Sequence, residues 1–184
     1  MKLVKAIGAI GATLRKITSN GSTALYRTKG ANVLVRMATA DDLDQYVVLA
    51  KDFHEASPMN GVSAFDVEGY SQFFLNALNN PDVGIWLAEI DSKIVGITGA
   101  LVFPLYFSPT HLVAQELWWW LTPTARGSGA GAKMFKQIEQ WAKEKNAKSL
   151  FMIALEDDRA EKMEKVYIRA GFTPLERTFV KEVK

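Results

Sequence analysis

Three glycines at alternating positions, Gly127, Gly129 and Gly131, follow Arg126 in the run Arg126-Gly-Ser-Gly-Ala-Gly131, a spacing suited to holding phosphate. Glycine has no Cβ, so an anion can approach the backbone closely and the chain can take turns that other residues resist. Downstream, Met134, Phe135, Ile138, Trp141 and Ala142 recur at helical spacing, which predicts a helix opening near Gly129 or Gly131. The first N–H groups of a helix have no internal acceptor and sit at the positive end of its dipole. A diphosphate is the natural ligand of such a corner. The run is not a Walker loop, which needs a Lys-Ser/Thr pair directly after its last glycine, and it fits the Gly-x-Gly-x-x-Gly dinucleotide fingerprint poorly.

The elements that position this loop can be read along the chain. Upstream, Glu116-Leu-Trp-Trp-Trp-Leu121 suits a half-buried strand, which Pro123 ends because proline brings no N–H to a ladder. Before it come a strand at Val33–Met37, a capping-box-like start at Thr39-Ala-Asp-Asp42, and a helix with Leu43, Val47, Ala50 and His54 along one face. A second helix is expected from Asp66 to Leu78, turning Tyr70, Phe73, Phe74, Ala77 and Leu78 inward. A hairpin follows, Ile85–Ile90 and Ile94–Val102 around Asp91-Ser-Lys93, and Phe103–Pro109 reads as an aromatic loop. After the glycine run come a strand at Lys148–Leu155 and a helix from Arg159 to Ala170 with Met163, Val166, Tyr167 and Ala170 inward. Gly171 is a fitting left-handed terminator, and Glu176–Glu182 reads as a closing edge strand.

Composition narrows the chemistry. A chain of 184 residues with 48% hydrophobic content suits one domain with a sizeable core. It has no cysteine and only His54 and His111 as histidines, which argues against thiolate or histidine-rich metal sites and leaves no cysteine nucleophile. No apolar run spans a bilayer, and the expectation is a cytoplasmic protein. The net charge of +2 is unevenly placed, since residues 1–40 carry seven of the 22 basic residues and none of the 20 acidic ones. Leu3, Ile7, Ile10, Leu14 and Ile17 form one helical stripe among those charges, so residues 1–31 read as a basic amphipathic arm and linker before a domain at 32–184. Its partner would be another protein or a second copy, through residues 1–17; seven charges alone do not argue for nucleic acid.

Arg126-Gly-Ser-Gly-Ala-Gly131 resembles the Arg/Gln-x-x-Gly-x-Gly/Ala loop of the GCN5-related N-acetyltransferases, the GNAT superfamily. Tyr167-Ile-Arg-Ala-Gly171-Phe172 is similar to that superfamily's Tyr-x-x-x-Gly-Phe, and the resemblance covers the chain from about Val33 onward. The run from Glu116 through Arg126 also resembles acetyltransferases encoded by tailed bacteriophages. The resemblance implies an α/β fold: a mixed, mostly antiparallel sheet of six to seven strands with helices on both faces. It implies acetyl-CoA as cosubstrate, no metal, and the primary amine of a small molecule or protein as acceptor. Arg126, Gly127, Ser128, Gly129, Ala130, Gly131 and Ala132 would bind the pyrophosphate, and Trp119, Trp120 and Leu121 would pair with the pantetheine as an added strand. The aromatic loop at Phe103–Pro109 would border the acceptor pocket.

On this resemblance Tyr167 is the candidate general acid and Glu116 the candidate base. A phenol with a reference pKa of about 10 can donate to a departing thiolate, and an amine with one near 10.4 must lose a proton before it attacks. Each residue also has a plain reading, Tyr167 as a packed aromatic and Glu116 as a solvated or structurally paired glutamate. Alternation puts Glu116, Trp118 and Trp120 on one face and Leu117, Trp119 and Leu121 on the other, unless a bulge shifts the register. His54 and Glu55 are weaker candidates, a pair at a helix end. One position departs from the family: Ala160 stands where many members have asparagine, so a cofactor contact is either lost or supplied by a neighbour such as Asp157 or Arg159. The competing reading is a virion or assembly component with this fold and little catalysis, docked through its arm.

Overall fold

Asp91 and Ser92 adopt left-handed φ angles of 50° and 66°, the backbone a two-residue hairpin turn needs, and this turn starts the sheet. It joins β2 (Val83–Ile90) to β3 (Lys93–Leu105), and a second tight turn at Tyr106-Phe107 joins β3 to β4 (Ser108–Leu121). The computed structural model describes residues 32–183, so the amphipathic stripe and linker of residues 1–31 lie outside the described residues. With β1 (Val33–Met37) and β5 (Ser149–Phe151), the strands lie in the order β1-β2-β3-β4-β5. The first three pairings are antiparallel and β4–β5 is parallel.

Both faces of this sheet are covered. On one lie α1 (Leu43–Glu55) and α2 (Val67–Leu78), where Tyr46, Leu49, Phe74 and Ala77 pack with Ile85, Leu87, Ile97, Trp118 and Trp120. On the other lies α3 (Ala130–Glu144), which sets Ile138 and Trp141 against Trp86, Ala100 and Ala114. Burial from both sides explains why β2 is apolar at consecutive positions, without the alternation of a half-exposed strand. The start of the first helix is held by charge. Arg36 bonds both oxygens of Asp42 at 2.8 and 2.7 Å and reaches Glu89 at 2.7 Å, while Asp42 accepts from the Thr39 N–H. The Arg36 hydrogen bond, against the opposing effect of burial, holds the Asp42 carboxyl down at about 2. Among the described residues, no helix is long and apolar enough to cross a membrane.

The structure corrects the expected strands in three places. Among the described residues it has five strands where six to seven were expected, because Glu176–Glu182 forms no ladder and residues 172–183 belong to no regular element. The strand expected at Lys148–Leu155 is only Ser149–Phe151, since beyond it the backbone of Ile153 bonds to side chains instead of to β4. The aromatic loop expected at Phe103–Pro109 is a hairpin, with Phe103 and Pro104 paired to Val113 and Leu112 and an irregularity after the proline. In α4 (Ala160–Arg169) Tyr167 is buried, but Val166 is 40% exposed and Ala170 lies open, in the absence of a sixth strand.

Candidate active site

A one-residue bulge in β4 sets the geometry. Against β3, Trp118 pairs with Gly99 and Glu116 with Ala100, so Leu117 is the extra residue. The bulge lets Leu117 and Trp118 both pack toward α1 and α2, whereas Trp119 and Leu121 turn toward α3. Glu116 is thereby put out of phase with Trp118 and Trp120, with which simple alternation groups it. Thr98 pins the bulge from β3, its buried hydroxyl donating to the Trp118 carbonyl at 2.9 Å.

On its other side β4 pairs with β5 only from Val113 to Gln115. At the next residue the strands part, and Glu116 fills the gap: its Oε2 accepts the Ile153 N–H at 3.1 Å. The Tyr167 hydroxyl donates to the Ile153 carbonyl, also at 3.1 Å. A carboxyl and a phenol from distant parts of the chain thus meet on the two backbone groups of one residue. Glu116 is 3% exposed, and burial raises its pKa to about 7 against the partial relief of the Ile153 N–H. Burial, and after it the nearby Glu116 charge, pushes the Tyr167 phenol well above its ordinary range. Near neutrality the first group can exchange a proton and the second holds one.

The glycine run lies at the far end of β4. Pro123–Ala125 forms a short 3₁₀ turn, Gly127 and Gly129 take φ angles of 84° and 93°, and Gly129 caps α3. A Cβ built at either glycine meets nothing within 4 Å, so the backbone there faces open space. The N–H of Ser128 is taken by the Ala125 carbonyl and that of Ala130 by the Ser128 hydroxyl. Among the described residues, the N–H groups of Gly127, Gly129, Gly131 and Ala132 have no protein acceptor. Gly131 also fits a tight place, because a Cβ there would stand 3.4 Å from both Leu121 and Trp119.

Two guanidiniums flank the site. Arg126 bonds the Leu121 carbonyl at 3.3 Å and lies 4.9 Å over the Trp120 ring, and Arg159 lies 5.5 Å over the same ring. Burial and the like charge of Arg159 lower the Arg126 pKa. Arg159 also holds the Asp157 carboxylate and the Ala56 carbonyl, the latter at 3.1 Å, and so ties the end of α1 to the start of α4. Burial of Asp157 is outweighed by these Arg159 hydrogen bonds, which keep its pKa low. Ala160, next in the chain, brings no polar side-chain atom to this corner.

Of the weaker candidates, Glu55 is an exposed partner of Lys51 at 3.8 Å. His54 is drawn inward against Phe65, with ring centroids 5.5 Å apart and both nitrogens buried without a hydrogen bond. The part played by Ile153 has no signal in the sequence, because it is a backbone part that any residue type but proline could fill.

The acetyltransferase (GNAT) family matches residues 47–172, which takes in the bulged strand, the glycine run and Tyr167. No curated protein sequence matches the chain. Among solved structures, a protein from Clostridium acetobutylicum described as a predicted acetyltransferase, with acetyl-CoA, superposes with a TM-score of 0.65 at 20% identity, over 82% of this chain and 96% of that one. The aminoglycoside N-acetyltransferase AAC(6')-Iy in complex with CoA gives 0.67 at 14% identity, over 85% and 98%. An aminoglycoside acetyltransferase from an uncultured soil metagenomic sample, in complex with sisomicin, gives 0.64 at 21% identity, over 83% and 97%. At these identities the likeness speaks for the fold, and the family match speaks for the lineage: this chain belongs to the GNAT acetyltransferase family.

Proposed function

We propose that the protein is an acetyl-CoA-dependent N-acetyltransferase acting on a primary amine of a small molecule or protein. The observation that carries this reading is the meeting of Glu116 and Tyr167 on Ile153, at the point where β4 and β5 part. The glycine run fits a diphosphate, with four amides at a helix N-terminus that have no acceptor among the described residues and open space beside Gly127 and Gly129. Gly127, Gly129, Gly131 and Ala132 would hold it through their N–H groups, and Ser128 and Ala130, whose own N–H groups are engaged, would shape the turn. Arg126 would add charge from its place over Trp120. Among the described residues, the β5 side of β4 has no ladder beyond Gln115, which would leave the edge of Trp119, Trp120 and Leu121 to pair with a pantetheine arm.

The bound thioester supplies an activated acetyl carbon. Glu116, with a pKa of about 7, takes the proton that the amine must lose, directly or through a water. Tyr167, held protonated by its surroundings, gives a proton to the departing sulfur. Burial keeps bulk water from both groups. Aminoglycosides are acceptors suggested by two of the similar structures, and they belong in any first panel.

Release of free thiol from acetyl-CoA, followed against a panel of primary amines, tests the proposal. Amine-dependent release is the expected result. No release with any amine, together with no binding of acetyl-CoA, would favour the competing reading, a retained fold docked through residues 1–17 as a virion or assembly component.

A further inference from the structure

The amphipathic stripe of residues 1–17 has no part in the proposed chemistry, and the domain offers a surface that suits it. Between the end of β1, the residues Ala38–Ala40 that follow it, the last turn of α2 and the start of β2 lies an open groove of about 330 Å³. Its walls are mostly apolar, with Met37, Leu75, Leu78, Val83 and Ile85 among them, and no charged side chain lines it. Met37 is 57% exposed there, and Leu34 on the same edge strand is 49% exposed. The rim is acidic. Asp41 and Asp82, each next in the chain to a lining residue, are exposed and bond no cation among the described residues. From Asp41 to Ser92 the chain holds ten acidic residues and a single Lys or Arg, Lys51, so the layer of α1 and α2 is negative as a whole.

The arm matches this groove in both respects. Leu3, Ile7, Ile10, Leu14 and Ile17 set an apolar stripe along one side of a helix, and its charges, Lys2, Lys5, Arg15 and Lys16, are all basic. Gly8 and Gly11 each weaken such a helix by about 1 kcal/mol, so it needs a surface to fold against. We infer that residues 3–17 dock as a helix in the groove of their own domain, with the stripe against Met37, Leu75 and Leu78 and the bases toward Asp41 and Asp82. The chain is long enough to do so. Residues 18–31 span up to about 45 Å when extended, whereas β1 covers only about 17 Å between its start and the groove. A tether this short holds the arm at an effective concentration on the order of millimolar, so its own groove fills ahead of a second copy's. The groove lies at the β1 end of the sheet, and Glu116 and Tyr167 meet where β4 and β5 part, so the docking stands or falls independently of the proposed activity.

Amide hydrogen exchange on the full chain, read by mass spectrometry, tests the docking. Exchange across residues 3–17 is slowed about tenfold or more at every protein concentration, while light scattering gives the mass of one chain. Met37→Lys, which sets a cation on an exposed position of the groove, returns those amides to the unprotected rate with thermal unfolding still cooperative. Ile10→Glu does the same from the arm, where the fold of the domain is not at stake. Unprotected amides in the native chain, or protection indifferent to either substitution, would overturn the inference. So would protection that rises with protein concentration alongside a doubled mass, which assigns the arm to a second copy, or protection that appears only with vesicles of anionic lipid, which assigns it to a membrane surface.

Discussion

Glu116→Gln lowers turnover by about a hundredfold to ten-thousandfold, the range typical of losing a general base, and stabilises the fold at alkaline pH. Both effects come from one buried carboxyl. As the proposed base it would work only when ionised, so the rate of the native protein is expected to climb with pH through about 7 and that limb to be absent in the variant. The effect on stability has the opposite sense. The carboxyl titrates at an ordinary 4.5 in the unfolded chain and at about 7 in the fold. Between those values the folded state keeps a proton that the unfolded state has lost, so stability falls as pH rises through the window. Above it, ionising this site costs about 3 kcal/mol. Glutamine still offers an oxygen to the Ile153 N–H and carries no charge, so it avoids the cost. Thermal unfolding of the two proteins at pH 5 and pH 8 is the check. The variant should melt roughly 5–10 °C above the native chain at pH 8, and much closer to it at pH 5. A variant that loses stability at pH 8 would show Glu116 to be a favourable structural anion instead.

Tyr167→Phe is expected to lower turnover about tenfold to a thousandfold while acetyl-CoA affinity changes little, because the proton it is proposed to supply is needed only as the thiol departs. The phenylalanine keeps the ring against Trp119 and Phe172 and removes only the hydroxyl bonded to the Ile153 carbonyl. The stability lost should be about 1 kcal/mol. Kinetics therefore separate a proton donor from a packed aromatic. An unchanged kcat, with the melting temperature slightly lowered, would leave Tyr167 as a brace for Ile153.

The glycine run is legible in the sequence, because left-handed backbone at Gly127 and Gly129 leaves a mark in composition. The amphipathic pattern of α3 is equally plain, since Met134, Ile138, Trp141 and Ala142 report a single buried face. What escapes the sequence has a common physical cause. A bulge is one extra residue of no special type, so Leu117 gives no sign that the phase of β4 changes. Glu116 can thus be named, although its neighbours cannot. Ile153 contributes an N–H and a carbonyl, which every residue except proline has. Arg159 shows a related limit, because its partner Ala56 is 103 residues away and is met through a backbone oxygen. The last strand misleads for a different reason. Glu176–Glu182 has a strand's composition, but composition does not supply the edge a strand must pair with.

In the proposed function, cofactor binding depends on the amides at positions 127, 129, 131 and 132 receiving a diphosphate. Titration calorimetry with acetyl-CoA, on the native chain and on Gly129→Glu, tests this most directly. The substitution places a carboxylate on a residue whose φ of 93° side chains rarely accept, at the spot an anion would occupy. Micromolar binding to the native chain that vanishes in a still-folded variant is the predicted result. Equal binding to both, or no heat from either, would contradict it.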